Sequence, residues 1–351
     1  MHHILILGSG GAPGIGVIRS LKNSPEQLKI IGTEVDKYSF FRSEAHKTYL
    51  TPFSSAPDSF KVIAKIIKTE NIDFIHAQPE KEVLNISKNR HILDELNVKY
   101  FLPKHETILS CQDKFKSYEI WAKAGLNVPA TILIKDENDL KIAFKDYGPK
   151  IWLRETIGGG GKGSLPTDNF QFAKFWLDYH NGWGKFTGAE ILSSQSTTWS
   201  SIWNKGELIV AQSRKRLFWE YGSKTLSGVT GITGTGVTID DPYLNEIAQN
   251  SILAIDSRPH GIYSVDLTEG VNGKLYLTEI NIGRFFTTIN FFTEAGLNMP
   301  FIILKLAHSE SIEIVKKINP LKTNLYWIRG MDMQPNLVDG KLLDELDIFK
   351  E

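Results

Sequence analysis

Apolar positions along this chain follow two periods, and the place where the balance between them shifts divides it. Up to about Pro103, short apolar runs alternate with stretches of helical spacing. The runs predict strands over 4–7, 30–35, 74–77 and 99–102. Between them, Phe60, Ile63, Ile66 and Ile67 recur every three or four residues behind Asp58, an N-cap candidate, and Val83, Leu84, Ile86, Ile92, Leu93 and Leu96 mark the next helix. Strands alternating with helices predict a doubly wound parallel sheet. Beyond Pro103 a helix begins near Asp113, carries Phe115, Tyr118, Trp121 and Ala122 on one side, and stops at Gly125. A strand over 130–134, a helix over 137–146 and a strand over 151–154 follow, and Asp168 is placed to cap a helix bearing Phe172, Trp176 and Leu177. From Phe186 the pattern is β-rich, with strands over 186–192, 197–203 and 208–214 and helices over 242–254 and 299–308. The first part therefore reads as α/β and the rest as α+β in two lobes about a cleft. The last thirty or so residues are weakly patterned.

The most informative stretch runs from Tyr263 to Arg284. Asn272-Gly273 stands between two alternating apolar runs, a strong hairpin signal. A two-residue turn there sets Asp266 opposite Glu279, with Cβ atoms about 4.5–5.5 Å apart. Asn281, two residues on, shares their face. Like charges directly opposite destabilise a sheet unless neutralised. A hard divalent cation, Mg²⁺ or Mn²⁺, would neutralise them, and Mg²⁺ is usually held by one or two carboxylates plus phosphate oxygens. The alternatives are a merely solvated strand face, or a longer bulged turn that moves the register.

Two glycine clusters carry further chemistry. The first, over 8–16, follows an apolar strand and opens a helix, so its backbone at Gly10 and Gly11 suits close approach of an anion. Glu34 and Asp36 end the second strand where a dinucleotide site has its ribose acid, so an NAD-binding domain is an alternative, although Pro13 interrupts the usual spacing. A simple tight turn is the third reading. The second cluster, Gly158, Gly159, Gly160, Gly161, Lys162 and Gly163, reads as a mobile flap whose N–H groups cover phosphates. It is no Walker A loop. Arg214 and Arg216 share one strand face and suit a polyphosphate or a carboxylate, or are simply solvated. His76 and Gln78 end a predicted strand, where ligands gather in open sheets, though His76 can equally be a core histidine. Thr230 lies in a small-residue loop over 227–236 that suits a substrate wall.

Size and charge narrow the field. The chain has 351 residues, enough for two or three domains, with 41% hydrophobic and 11% aromatic residues. Lys plus Arg and Asp plus Glu number 40 each, which argues against a nucleic-acid or membrane-surface partner. Cys111 is the single cysteine, so no internal disulfide forms, and a cytoplasmic location is expected. No signal peptide or membrane-spanning run is expected. Nine histidines are scattered without metal-ligand spacing.

Taken together, these pieces resemble the ATP-grasp superfamily over roughly residues 4–310. The likeness is greatest to one synthetase half of the carbamoyl-phosphate synthase large chain and to single-unit proteins described as carbamoyl-phosphate-synthase-like. Biotin carboxylase and the D-alanine ligases are more distant. The resemblance implies a Rossmann-like pre-ATP-grasp domain over 1–110, a small lobe with the flap over 111–187, a large lobe with the metal site over 188–320 and a tail over 321–351. By position, Lys114 and Arg154 match nucleotide-contacting basic residues, and Glu190, Ile191 and Leu192 match the adenine-recognising hinge. Asp266, Glu279 and Asn281 match metal ligands, and Arg284 matches the arginine that steadies the transferring phosphoryl group. Arg214 and Arg216 would assist it. Here that arginine stands one residue late, Ser196 stands near the place of a common ribose acid, and Asp266 replaces a Glu or Gln. The implied activity is an ADP-forming carboxylate–amine ligase that uses ATP and Mg²⁺ through an acylphosphate. A nucleotide-binding module without turnover and an NAD-dependent enzyme are the alternatives. The implied partners are ATP, a small carboxylate and an amine, with a homodimer as the expected assembly.

Overall fold

A computed structural model describes residues 1–331 and 336–344. The first sheet holds β1 (His3–Leu7), β2 (Lys29–Glu34), β3 (Lys47–Leu50) and β4 (Phe74–Ala77), all parallel, in the order β3-β2-β1-β4. The edge strand β3 is absent from the sequence reading because Lys47-Thr-Tyr-Leu lacks an apolar run. The strand expected over 99–102 shrinks to a single bridge between Lys99 and Phe74. The helix expected across 83–96 breaks at Asn89 into Glu80–Lys88 and Arg90–Glu95. An unforeseen helix, His105–Gln112, leads into Lys114–Lys123.

The small lobe is an antiparallel sheet of β5 (Thr131–Ile134), β6 (Ile151–Glu155), β7 (Leu165–Thr167) and β8 (Phe186–Glu190), in the order β5-β8-β6-β7. Its helix Phe170–Tyr179 is capped by Asn169, whose side chain accepts from the Phe172 amide, and not by Asp168. The large lobe is a seven-stranded sheet of β9 (Ser196–Asn204), β10 (Glu207–Trp219), β11 (Thr233–Ile239), β12 (Gly261–Glu269), β13 (Leu275–Ile282), β14 (Leu325–Ile328) and β15 (Asn336–Asp339). Its order is β13-β12-β9-β10-β11-β14-β15, so the weakly patterned C-terminal stretch supplies two strands.

Burial separates these parts unequally. The small lobe has its own core around Ile134, Leu140, Leu153, Leu177 and Phe186. The first sheet and the large lobe share two cores, one joining Leu5 and Leu7 to Trp199 and Val265, the other joining Ile4 and Ile6 to Phe285 and Phe292. Two bodies with separate cores can move against each other, whereas two faces buried in a common core cannot part without exposing apolar area. The small lobe is thus the unit free to hinge. Among the described residues, no helix is long and apolar enough to cross a membrane.

Candidate active site

The hairpin is built differently from the simple expectation, yet it delivers the same pair. Gly273 donates its amide to Gly270 O, and the Gly270 amide donates to Lys274 O, which makes a three-residue loop with Gly273 left-handed. Register near the tip is therefore one residue off, with Leu267 opposite Leu277. A bulge at Thr278 restores it, and Asp266 faces Glu279. The bulge matters chemically. It turns the Thr278 carbonyl out of the ladder, and Arg154 Nη2 on β6 donates to it at 2.6 Å. That contact brings Arg154 Nη1 to 3.8 Å from Glu279.

Around this pair the polar groups form one network. Asn281 Nδ2 donates to Asp266 Oδ2 at 3.0 Å and to Glu279 Oε1 at 3.4 Å, and its oxygen accepts from Arg284. The one-residue displacement of Arg284 is thus absorbed just after β13, and its guanidinium reaches the site. Thr198 on β9, directly across from Asp266, donates to Asp266 Oδ1 at 2.5 Å. Arg216 Nη2 lies 4.0 Å from Asp266. Arg214 and Arg216 share a face of β10, and both donate to the Thr233 hydroxyl on β11, at 3.2 and 3.1 Å. They are only 1% and 6% exposed, stacked on Phe286 and Trp219 respectively. Arg214 Nε has no hydrogen-bond partner. Ser196 accepts from Arg216, which engages it away from any ribose role.

The electrostatics favour an anion and a metal ion together. Burial pushes the Glu279 carboxyl up, but Lys114, Arg154 and Arg284 outweigh it and hold the group below its usual range. Asp266 is raised, chiefly by burial and with Glu279 adding repulsion, against the pull of Arg216. Burial lowers the pKa of Lys114, Arg154, Arg214 and Arg216, with Arg214 reaching about 9. Two opposed carboxylates ringed by five buried or half-buried cations carry a net positive charge. Such a set is completed by a polyanion, with a divalent ion between the carboxylates. The residues present therefore fit Mg²⁺ on Asp266, Glu279 and Asn281.

Two cavities meet at this pair. One, of about 430 Å³, is lined by Lys114, Tyr118, Trp152, Arg154, Glu190 and Leu192, and is roofed by Gly158, Gly159, Gly160, Gly161 and Lys162. The other, of about 380 Å³, is lined by Ala12, Pro13, Arg214, Thr230, Arg284 and Phe286. Lys114 opens a helix capped by Asp113 and donates to Gly158 O, fixing the root of the flap. Gly163 anchors its far end by accepting from Trp176 Nε1 at 2.9 Å. Across the cleft the flap meets the 227–231 loop, itself tied by Thr287, which donates to Gly231 O at 3.0 Å. Glu190 lines the first cavity while its carboxylate accepts from the Ala130 amide at 2.8 Å, and Ile191 is not part of the lining.

Several expected substrate residues lie elsewhere. Gly10 donates its amide to Glu34 Oε1 at 2.6 Å, and a Cβ there would come 1.8 Å from Ser39 O. At Gly10 the first glycine cluster is closed by its own chain, which leaves that amide engaged by Glu34. Gly11 does not line the cleft, although the next residues, Ala12 and Pro13, do. His76 is buried against Phe285, its pKa lowered to about 3 by burial, and Gln78 packs beside it. Both are core residues. Of the expected set, Thr230 alone lines a cavity. Trp152, Trp219, Thr198, Thr233 and Phe286 were not foreseen, because their place depends on which strands pair, and a strand's own pattern carries no such signal.

No family model matches the sequence. Solved structures match throughout most of the chain. N5-carboxyaminoimidazole synthetase from Staphylococcus aureus complexed with ADP is 16% identical with a TM-score of 0.69, covering 93% of this chain and 82% of that one. Biotin carboxylase from Campylobacter jejuni, in a β-γ-ATP complex, is 15% identical at 0.67, covering 92% and 74%. L-amino acid ligase from Bacillus licheniformis is 11% identical at 0.66, covering 93% and 79%. The chain has the ATP-grasp fold.

Proposed function

We propose that this protein is an ADP-forming carboxylate–amine ligase acting through an acylphosphate. One observation carries the reading: an opposed, half-buried carboxylate pair lies among five cations, under a glycine flap, where two cavities join. The first cavity takes ATP, with aromatic walls for the base and Lys114, Arg154 and Lys162 for the phosphates. The second takes the acid, held by Arg284 and Arg214. Mg²⁺ on Asp266, Glu279 and Asn281 supplies charge neutralisation at the phosphate oxygens.

A carboxylate oxygen of the acid attacks the γ-phosphorus as the bond to the β-phosphate oxygen breaks, and ADP leaves. Arg284, Arg216 and Arg214 stabilise the charge spread over the transferring group. The amine nitrogen then attacks the acyl carbon, phosphate leaves with the C–O electron pair, and the nitrogen loses a proton. Closing the flap on the 227–231 loop excludes water, which an acylphosphate requires. The test uses purified protein, ATP, Mg²⁺ and panels of acids and amines, following ADP and phosphate, with hydroxylamine to trap the acylphosphate. A hydroxamate formed only with the right acid supports the reading. Tight ATP binding without ADP or hydroxamate across the panels refutes it and leaves a binding module.

A further inference from the structure

At the N-terminal ends of the first sheet's strands, away from the cleft, four side chains from three segments converge. His2 precedes β1, Asp73 precedes β4, and His308 and Glu310 follow the helix Met299–Ala307. His2 Nε2 is 3.0 Å from Glu310 Oε1, and His2 Nδ1 is 3.3 Å from Asp73 Oδ1. His308 Nε2 is 3.2 Å from the same Asp73 oxygen. The two imidazole rings stand 4.1 Å apart, centroid to centroid.

Counting protons shows what is missing. His308 Nδ1 is 3.0 Å from Leu304 O, so in the neutral ring that nitrogen carries the hydrogen and Nε2 presents a lone pair to Asp73, a contact that favours the charged ring when no metal is bound. Nε2 is buried and has no hydrogen-bond partner, since its contact with Asp73 lacks the alignment of one. A neutral His2 has one N–H and cannot serve both carboxylates. Charging both rings would set two imidazolium ions with their centroids 4.1 Å apart. A single divalent cation removes the deficit, because it accepts lone pairs from nitrogens and oxygens together.

We propose that His2 (through Nε2), His308 and Glu310 bind a Zn²⁺-class transition-metal ion, with Asp73 orienting the His2 ring from its Nδ1 side. Ligand atoms of the first three lie within 4.8 Å of one another. Two imidazoles with carboxylates are a common donor set for such ions, and metal–ligand bonds near 2.0–2.2 Å put tetrahedral neighbours roughly 3.4 Å apart. With His2 ligating through Nε2, its 3.0 Å contact with Glu310 Oε1 is close to that spacing. The outer partners suit a metal site: the Leu304 carbonyl orients His308, Lys305 pairs with the other Glu310 oxygen, and the His3 amide donates to Asp73 Oδ2 at 2.9 Å. The ion would be structural. It would cross-link the first sheet to the helix that completes the large lobe, and the histidines, 306 positions apart, show why spacing along the chain gave no hint.

The test takes metal-stripped full-length protein and titrates Zn²⁺ alone by calorimetry and thermal unfolding, with Co²⁺ as a spectroscopic probe. One saturable equivalent, a Tm raised by several degrees and the ligand-field absorption of tetrahedral Co²⁺ are expected. His308→Gln and Glu310→Gln should each weaken binding by more than about tenfold. Should His308→Gln fail to fold, the half-exposed Glu310→Gln and Asp73→Asn carry the comparison. Absence of saturable binding, or binding undiminished in these variants, overturns the proposal. Neither result bears on ligase turnover, since these residues lie outside the cleft.

Discussion

Two glycine-rich loops each follow a short apolar strand, and the protein uses them in opposite ways. After β1, the loop is filled by its own chain: Glu34 takes the Gly10 amide, and Ser39 O occupies the space a side chain would need. After β6, the flap roofs a cavity and meets another glycine loop, so close that a Cβ on Gly161 would lie 2.7 Å from Val229 O. Glycine content alone cannot separate the two. What separates them is whether an internal carboxylate has already taken the amides. In the first loop glycine serves packing; in the second it roofs a cavity and allows the close approach to Val229.

The comparison can be broken by exchanging the loops' roles in experiment. The largest effect is expected at the acids under the flap: Glu279→Gln should lower ADP release by at least about 100-fold, as loss of one transition-state contact does, with an unchanged Tm. An equal loss from Glu34→Gln would reverse the assignment. Next, Gly10→Ala should cost about 1–3 kcal/mol through overpacking, read as a lower urea midpoint with KM for ATP unmoved. Gly161→Ala should do the reverse. It forces a side chain into a left-handed position, costing about 1–2 kcal/mol mainly in the closed state, so KM for ATP rises about tenfold while the midpoint hardly moves. Glu34→Gln should cost only about 1 kcal/mol, the worth of one hydrogen bond. In the parent protein ATP with Mg²⁺ should raise Tm and NAD should not.

A pH effect lies outside both loops. Lys47, Tyr49 and Lys29 hold the buried Glu70 carboxylate down at about 2. A depressed acid contributes stability that is complete above its ordinary pKa and lost as pH falls toward the folded value. Urea midpoints should therefore decline between about pH 4.5 and pH 2, and Glu70→Gln should flatten that decline.

Much of the architecture was legible because burial writes a period into the chain. The helix expected over 137–146 is there to the residue, and the one expected from near Asp113 begins at Lys114. Local signals failed where tertiary partners decide. The strand β11 reads as a loop, since Thr-Gly-Thr-Gly has no apolar face. Asp168 and Asn169 are both good caps, and only backbone geometry chooses between them. His76 and Gln78 end a strand as ligand-binding residues do, but the packing of Phe285 covers them. The acidic pair follows from a two-residue turn in the sequence; the chain has the longer, bulged turn that stood as the alternative, and its two departures offset each other. Twelve residues join Asp266 to Glu279. Five cross-strand pairs with a two-residue turn fill that span, and so do four pairs with a three-residue turn and one extra residue.

The second of these solutions does something the first cannot. In a regular ladder the Thr278 carbonyl would be spent on its neighbouring strand. Freed by the irregularity, it is fastened to Arg154, which belongs to the opposite lobe. The jaws of the molecule are thus buttoned together one residue from the acids, so a swing that admits or releases nucleotide has to undo that button beside the reacting centre, and mouth and machinery must move as one.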